Sequence, residues 1–77
     1  MTAAEYLHHV QETRRKRLID LVATFESQGE AVREIGLSRQ YVIGLMRGYR
    51  PFGERIARTI EGNFGLEFGA LDRAMEG

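Results

Sequence analysis

The 77-residue chain has no cysteine, no tryptophan and a single proline. Without cysteine, neither a disulfide nor a thiolate metal site can staple a chain that buries only about 60% of the surface it exposes when unfolded. Helix packing or a partner must then stabilise the fold, and a reducing, cytoplasmic setting fits. Long apolar runs are missing too, so the expectation is a chain with no membrane span and no signal peptide. Strand signals are equally absent, since no stretch alternates apolar and polar residues with β-branched enrichment. The length leaves room for one domain, and no repeat, low-complexity tract or linker divides it.

An excess of charge of one sign is also lacking: 11 Lys and Arg balance 11 Asp and Glu. A zero sum speaks at first against a polyanionic partner, but the layout is uneven. Glu5 and Glu12 make residues 1–12 acidic, and Arg14, Arg15, Lys16 and Arg17 follow as a basic block. Residues 18–32 are acidic again through Asp20, Glu26 and Glu30, whereas residues 33–58 hold six arginines against Glu34 and Glu54. The remainder carries Glu61, Glu67, Asp72 and Glu76 against Arg73. Every cation but Lys16 is arginine, whose planar fork suits phosphate and base edges better than an ammonium does.

Three-to-four spacing of apolar residues runs from end to end and predicts an all-α fold. Thr2 followed by Glu5 forms a capping-box pattern, ahead of Tyr6, Leu7, Val10, Leu18, Leu21, Val22 and Phe25. The stripe breaks between Thr13 and Arg17. One helix over about residues 3–26 with a polar middle is expected, the alternative being a short lead helix joined to a second. Residues 1–12 are read as a lead segment and 13–77 as the domain proper. Ser27 is placed to cap a two-turn helix with Ala31, Val32 and Ile35 inward, ended by Gly36; Ser38 caps the next, with Val42, Leu45 and Met46 inward, ended by Gly48. Tyr49 to Gly53 is a loop because Pro51 pushes Arg50 out of the helical region. A fourth helix spans about Glu54 to Phe64, with Ile56, Ala57, Ile60 and Phe64 facing the core and Gly65 as C-cap. Leu66, Phe68, Leu71 and Met75 suggest a last short turn covering the core.

Two short helices joined by a glycine turn, with apolar residues at Ala31, Ile35, Leu37, Val42 and Leu45, meet the requirements of a helix-turn-helix. If those residues face inward, Ser38, Arg39, Gln40, Ile43, Gly44 and Arg47 project from the second helix. Arg39 can bond guanine bidentately and Gln40 adenine. Ile43 can meet a thymine methyl, and Gly44 would let the helix approach closely.

From Ser27-Gln28 through Gly36-Leu37-Ser38 to Leu45, Gly48 and Arg50, the chain resembles the lambda-repressor-like, Xre- and Cro-type helix-turn-helix regulators of phages and bacteria. The resemblance extends from Arg14-Arg15, Leu18, Leu21 and Phe25 to Arg50-Pro51-Phe52-Gly53-Glu54-Arg55-Ile56-Ala57-Arg58, Gly65-Leu66 and Leu71-Asp72, covering about residues 13–73. It implies a five-helix domain that represses transcription as a dimer on an operator, with residues 38–47 as the recognition helix. It also implies phosphate contacts from Gln28, Arg47, Tyr49 and Arg50. Two positions depart from the family's pattern: Val32 stands where alanine or glycine lets the two motif helices nearly touch, and Gly44 replaces a commonly polar residue.

The function expected is a sequence-specific, double-stranded-DNA-binding regulator, a phage or prophage repressor acting as a homodimer. Its near-palindromic site would have half-sites about 34 Å apart. Pairing would offset the small basic excess, since non-specific affinity rests on neutralised phosphates. Tyr6, Leu7 and Val10, or else Phe68, Leu71 and Met75, are the candidate pairing surfaces. The alternative is a protein-interaction module on the same fold, of antirepressor or antitoxin kind. An enzyme is not expected: no cysteine, no histidine spaced to a nucleophile and no glycine-rich phosphate loop after a strand is present. No cofactor, small-molecule substrate or metal is expected either, as the adjacent His8 and His9 cannot chelate one ion together.

Overall fold

The computed structural model describes residues 1–73, which form four α-helices and one 3-10 turn, with no strand among them. The helices are α1 (Ala3–Ala23), α2 (Gln28–Ile35), α3 (Arg39–Arg47) and α4 (Glu54–Phe64), and the turn is Ala70–Asp72. No helix among the described residues is long and apolar enough to cross a membrane. Met75, expected on the last turn, lies outside the described residues.

Three helix starts and three helix ends lie where local chemistry directs. Thr2, Ser27 and Ser38 have extended backbones, and their hydroxyls accept from the amides of Glu5, Glu30 and Tyr41 at 3.1, 3.2 and 3.1 Å. Each removes one of the unpaired donors at a helix start. Gly36, Gly48 and Gly65 close α2, α3 and α4 in the left-handed region at φ 78°, 79° and 69°. At Gly48 the amide of Tyr49 returns to the Gly44 carbonyl at 2.9 Å, the long bond of a Schellman motif.

α1 is one helix across the polar interruption and stops at Ala23, three residues before the expected end, leaving Phe25 in the connection. The interruption has a plain cause. Arg14 occupies the core-facing step four residues after Val10 and four before Leu18, and it is 5% exposed. Residues 1–9 are all exposed, so Tyr6 and Leu7 do not join the core as the stripe predicts.

The core joins Leu18 of α1, Ile35 of α2, Val42 and Leu45 of α3, Ala57 and Ile60 of α4, Phe52 of the loop after α3 and Leu71 of the 3-10 turn. Val32, Leu37 and Met46 pack against its margin. Phe52 anchors the loop after α3: its carbonyl accepts from Arg14 Nη1 at 2.7 Å and its amide donates to Gln11 Oε1 at 3.4 Å. Of the residues expected to cover the core after α4, Leu71 is buried and Leu66 half-buried. Phe68 is not part of that cover; it is 78% exposed, with the Arg58 guanidinium 4.5 Å from its ring centroid.

Candidate nucleic-acid interface

α2 and α3 meet at a corner made by Gly36, Leu37 and Ser38, and its shape is set by two local facts. Gly36 has a positive φ, and a Cβ there would stand 2.9 Å from Asn63 Nδ2. Asn63 needs that space because its amide donates to the Ile35 carbonyl at 2.6 Å, satisfying an acceptor left over at the end of α2. The far end of α3 is fixed by Arg15, whose Nη1 donates to the Met46 carbonyl at 3.3 Å while Nε and Nη2 grip Glu12 at 3.1 and 2.7 Å. The end of α2 and the end of α3 are therefore each held by a side chain of another helix.

With Val42 and Leu45 facing the core, the opposite side of α3 is turned to solvent. Ser38, Arg39, Gln40 and Arg47 are exposed, as are Gln28 at the start of α2 and Tyr49 and Arg50 after α3, and Ile43 is half-buried. The Ser38 oxygen is used as acceptor by the Tyr41 amide, which leaves the hydroxyl proton free to donate outward. Arg39 reaches back over the first turn of α2, its Nη2 lying 3.5 Å from where a Cβ on Gly29 would stand. That brings Arg39 beside Gly29 across the corner. None of the ion pairs among the described residues involves Arg39, Arg47 or Arg50. From Leu37 to Gly53 the chain holds these three arginines and no carboxylate, so the outer side of α3 is locally basic although the molecule is neutral.

Gly44 is the exception among the expected surface residues. It is buried rather than presented outward, because the side chain of Arg50 lies across it. Arg50 is in turn stacked on Tyr41, its guanidinium carbon 4.5 Å from the ring centroid. Tyr41 had no place in the sequence reading, and nothing in helical spacing marks it: its partner lies beyond the helix end, on a turn whose direction is set by Gly48 and Pro51.

The first basic block divides differently. Arg14 and Arg15 are engaged inside the molecule and are unavailable to a ligand, Arg14 with Asp72 and Phe52, Arg15 with Glu12 and Met46. Lys16 is exposed and Arg17 half-buried. Arg58 pairs with Glu61 and Glu54 of its own helix at 2.9 and 3.8 Å and with Asp72 of the 3-10 turn at 2.8 Å. Glu61 and Asp72 are thus drawn to the side of the molecule where α1, α4 and the 3-10 turn meet. No family model, no curated protein and no solved structure matches the chain.

Proposed function

We propose that this chain is a sequence-specific DNA-binding transcriptional regulator of the lambda-repressor-like type, with α2 and α3 as a helix-turn-helix and α3 as its major-groove helix. One observation carries the reading. The solvent side of α3 presents Arg39, Gln40 and Arg47 without a partner carboxylate, and adjoining Gln28, Tyr49 and Arg50 are exposed beside it. A helix of this width fits the major groove, and arginine and glutamine near its start match guanine and adenine edges. Ser38 and Ile43 join Arg39 and Gln40 as the base-facing set, while Gln28, Arg47, Tyr49 and Arg50 flank it at positions suited to phosphates. Gly44, being covered, makes no base contact in this reading.

The protein acts as a homodimer on a twofold-related site, since one α3 supplies few phosphate contacts. Of the two pairing surfaces, the lead helix is favoured: adjacent Tyr6 and Leu7 are 62% and 53% exposed, whereas on the other Leu71 is buried at 1% and exposed Phe68 already has the Arg58 guanidinium over its ring. Selection of bound fragments from random duplexes tests the proposal. Enrichment of a symmetric motif is the expected result, and no enrichment over input at low salt would exclude it.

A second reading, a protein-interaction module on the same fold, draws on Tyr49, 78% exposed beside Ile43 and Pro51 in an open cleft. Such a module would retard no duplex at any salt concentration, whereas a repressor loses affinity steeply as salt rises.

A further inference from the structure

We infer that Gly44 and Tyr41 are positioning residues for Arg50, forming a seat that holds its guanidinium ready along the flank of α3 to clamp a DNA phosphate. The inference deepens the DNA-binding reading and rests on it.

The seat has three parts. Gly44 supplies the space: a Cβ there would stand 3.0, 3.1 and 3.3 Å from Arg50 Cγ, Cδ and Nε, closer than ordinary packing permits. A side chain at residue 44 would therefore push the arm off α3 by at least a few tenths of an ångström. Tyr41, one turn earlier on the same flank, supplies the face, stacked against the guanidinium at 4.5 Å. The backbone supplies the direction, because the amides of Tyr49 and Arg50 both donate to the Gly44 carbonyl, at 2.9 and 3.2 Å, and turn the chain back over the helix. Stacking occupies one face of the guanidinium and leaves its in-plane N–H groups free, and these are the donors a phosphate takes bidentately. An arm held beforehand in this pose loses less conformational freedom on binding than a loose arginine would. Gly44 is otherwise hard to account for, since glycine inside a short helix is the weakest of the non-proline choices.

A phosphate clamp works on any sequence, so a fluorescein-labelled duplex of mixed sequence is a sufficient probe, titrated by anisotropy with the full chain over a range of salt. Arg50→Ala should weaken binding about tenfold at low salt and make the salt slope shallower by about one unit. Gly44→Ala should reproduce both effects with Arg50 still present, and the double variant should bind no more weakly than Arg50→Ala alone. Because alanine is the better helix former and the displaced arm is flexible, Gly44→Ala should melt at or above the parent temperature. Loss of binding without loss of stability separates positioning from folding. Tyr41→Leu, which keeps apolar bulk and removes the ring face, should give the same shallower slope. In the free parent chain, Arg50 δ protons should carry a ring-current shift that Gly44→Ala reduces.

Binding by the parent with an unaltered salt slope in Gly44→Ala, or effects of Gly44→Ala and Arg50→Ala that add, would overturn the seat while leaving the DNA-binding reading intact. A parent chain that binds no duplex at low salt would overturn both.

Discussion

Arg14 and Asp72 form a two-pronged ion pair across 58 residues of chain, with Nε to Oδ1 at 2.6 Å and Nη2 to Oδ2 at 3.2 Å. The third prong, Nη1, holds the Phe52 carbonyl. One buried arginine thereby joins α1, the loop after α3 and the closing 3-10 turn. Removing the carboxylate leaves the guanidinium buried without its counter-charge, a loss that costs several kcal/mol in comparable sites. The Asp72 side chain is 28% exposed, so water recovers part of that. Asp72→Ala is expected to lower unfolding free energy by about 2–4 kcal/mol. Chemical denaturation with an unshifted midpoint would show that the turn is not fastened this way.

The same pair sets the acid response. The hydrogen bond from Arg14 holds the Asp72 carboxyl below its ordinary range, Arg58 adds to this and partial burial works against it. A carboxyl whose value is depressed by folding takes up its proton first in the unfolded chain. Its contribution is therefore complete above the unfolded value of about 3.9 and is lost as pH falls below it toward the folded value. Glu12, lowered by its hydrogen bond to Arg15, acts in the same direction from the surface. Denaturation midpoints measured from neutral pH down to about 3 should stay level and then decline, and Asp72→Asn should flatten the decline. An equal decline in that variant would assign acid sensitivity to other carboxylates.

Glu61 is a buried carboxylate, 2% exposed, used as a template for the turn that follows α4. Oε1 accepts from the Gly69 amide at 3.0 Å and Oε2 from the Leu71 amide at 2.9 Å, with Arg58 Nε 2.9 Å from Oε1. A glutamine can supply only one acceptor there and would aim an N–H at a backbone N–H. Glu61→Gln is expected to destabilise by about 2 kcal/mol and to speed hydrogen exchange at Leu71. Unchanged protection at that amide would mean the turn is held by the burial of Leu71 alone.

What the sequence made legible is what is decided within a few residues. Ser27, Ser38, Gly36, Gly48 and Gly65 all stand where the caps were expected, because a cap's hydrogen bonds close over three to five positions. The pairing of Arg58 with Glu54 and Glu61, four and three residues away on the same helix, is local in the same sense. Arg14 was not: its partner is remote, and a cation in an apolar stripe looks like a break in the helix until the carboxylate that neutralises it is in place. Gly44 was assigned to the surface because helical spacing puts it there. The spacing is right, but the covering group comes from Arg50, beyond the helix end. Phe68 was assigned to the core on hydrophobicity, yet the turn templated by Glu61 leads Leu71 inward and leaves Phe68 outside under Arg58.

Arg39 and Arg47 stand at opposite ends of α3 and are expected to fail in different ways. Arg39 lies at the amino-terminal turn, the part of a recognition helix that meets base edges, and Arg47 lies in the last turn toward the phosphate-facing flank. Loss of a bidentate base contact should cost about 1–3 kcal/mol on the selected site and relax the preference at one base pair. Loss of a phosphate contact should weaken selected and random duplexes alike and make the salt slope shallower by about one unit. Arg39→Ala is thus expected to narrow the gap between specific and random duplexes, and Arg47→Ala to shift both by the same factor. Parallel titrations of the two duplexes distinguish these patterns. If Arg39→Ala weakens both equally, the arginine beside Gly29 is a backbone contact and base recognition must fall to Gln40, Ser38 and Ile43.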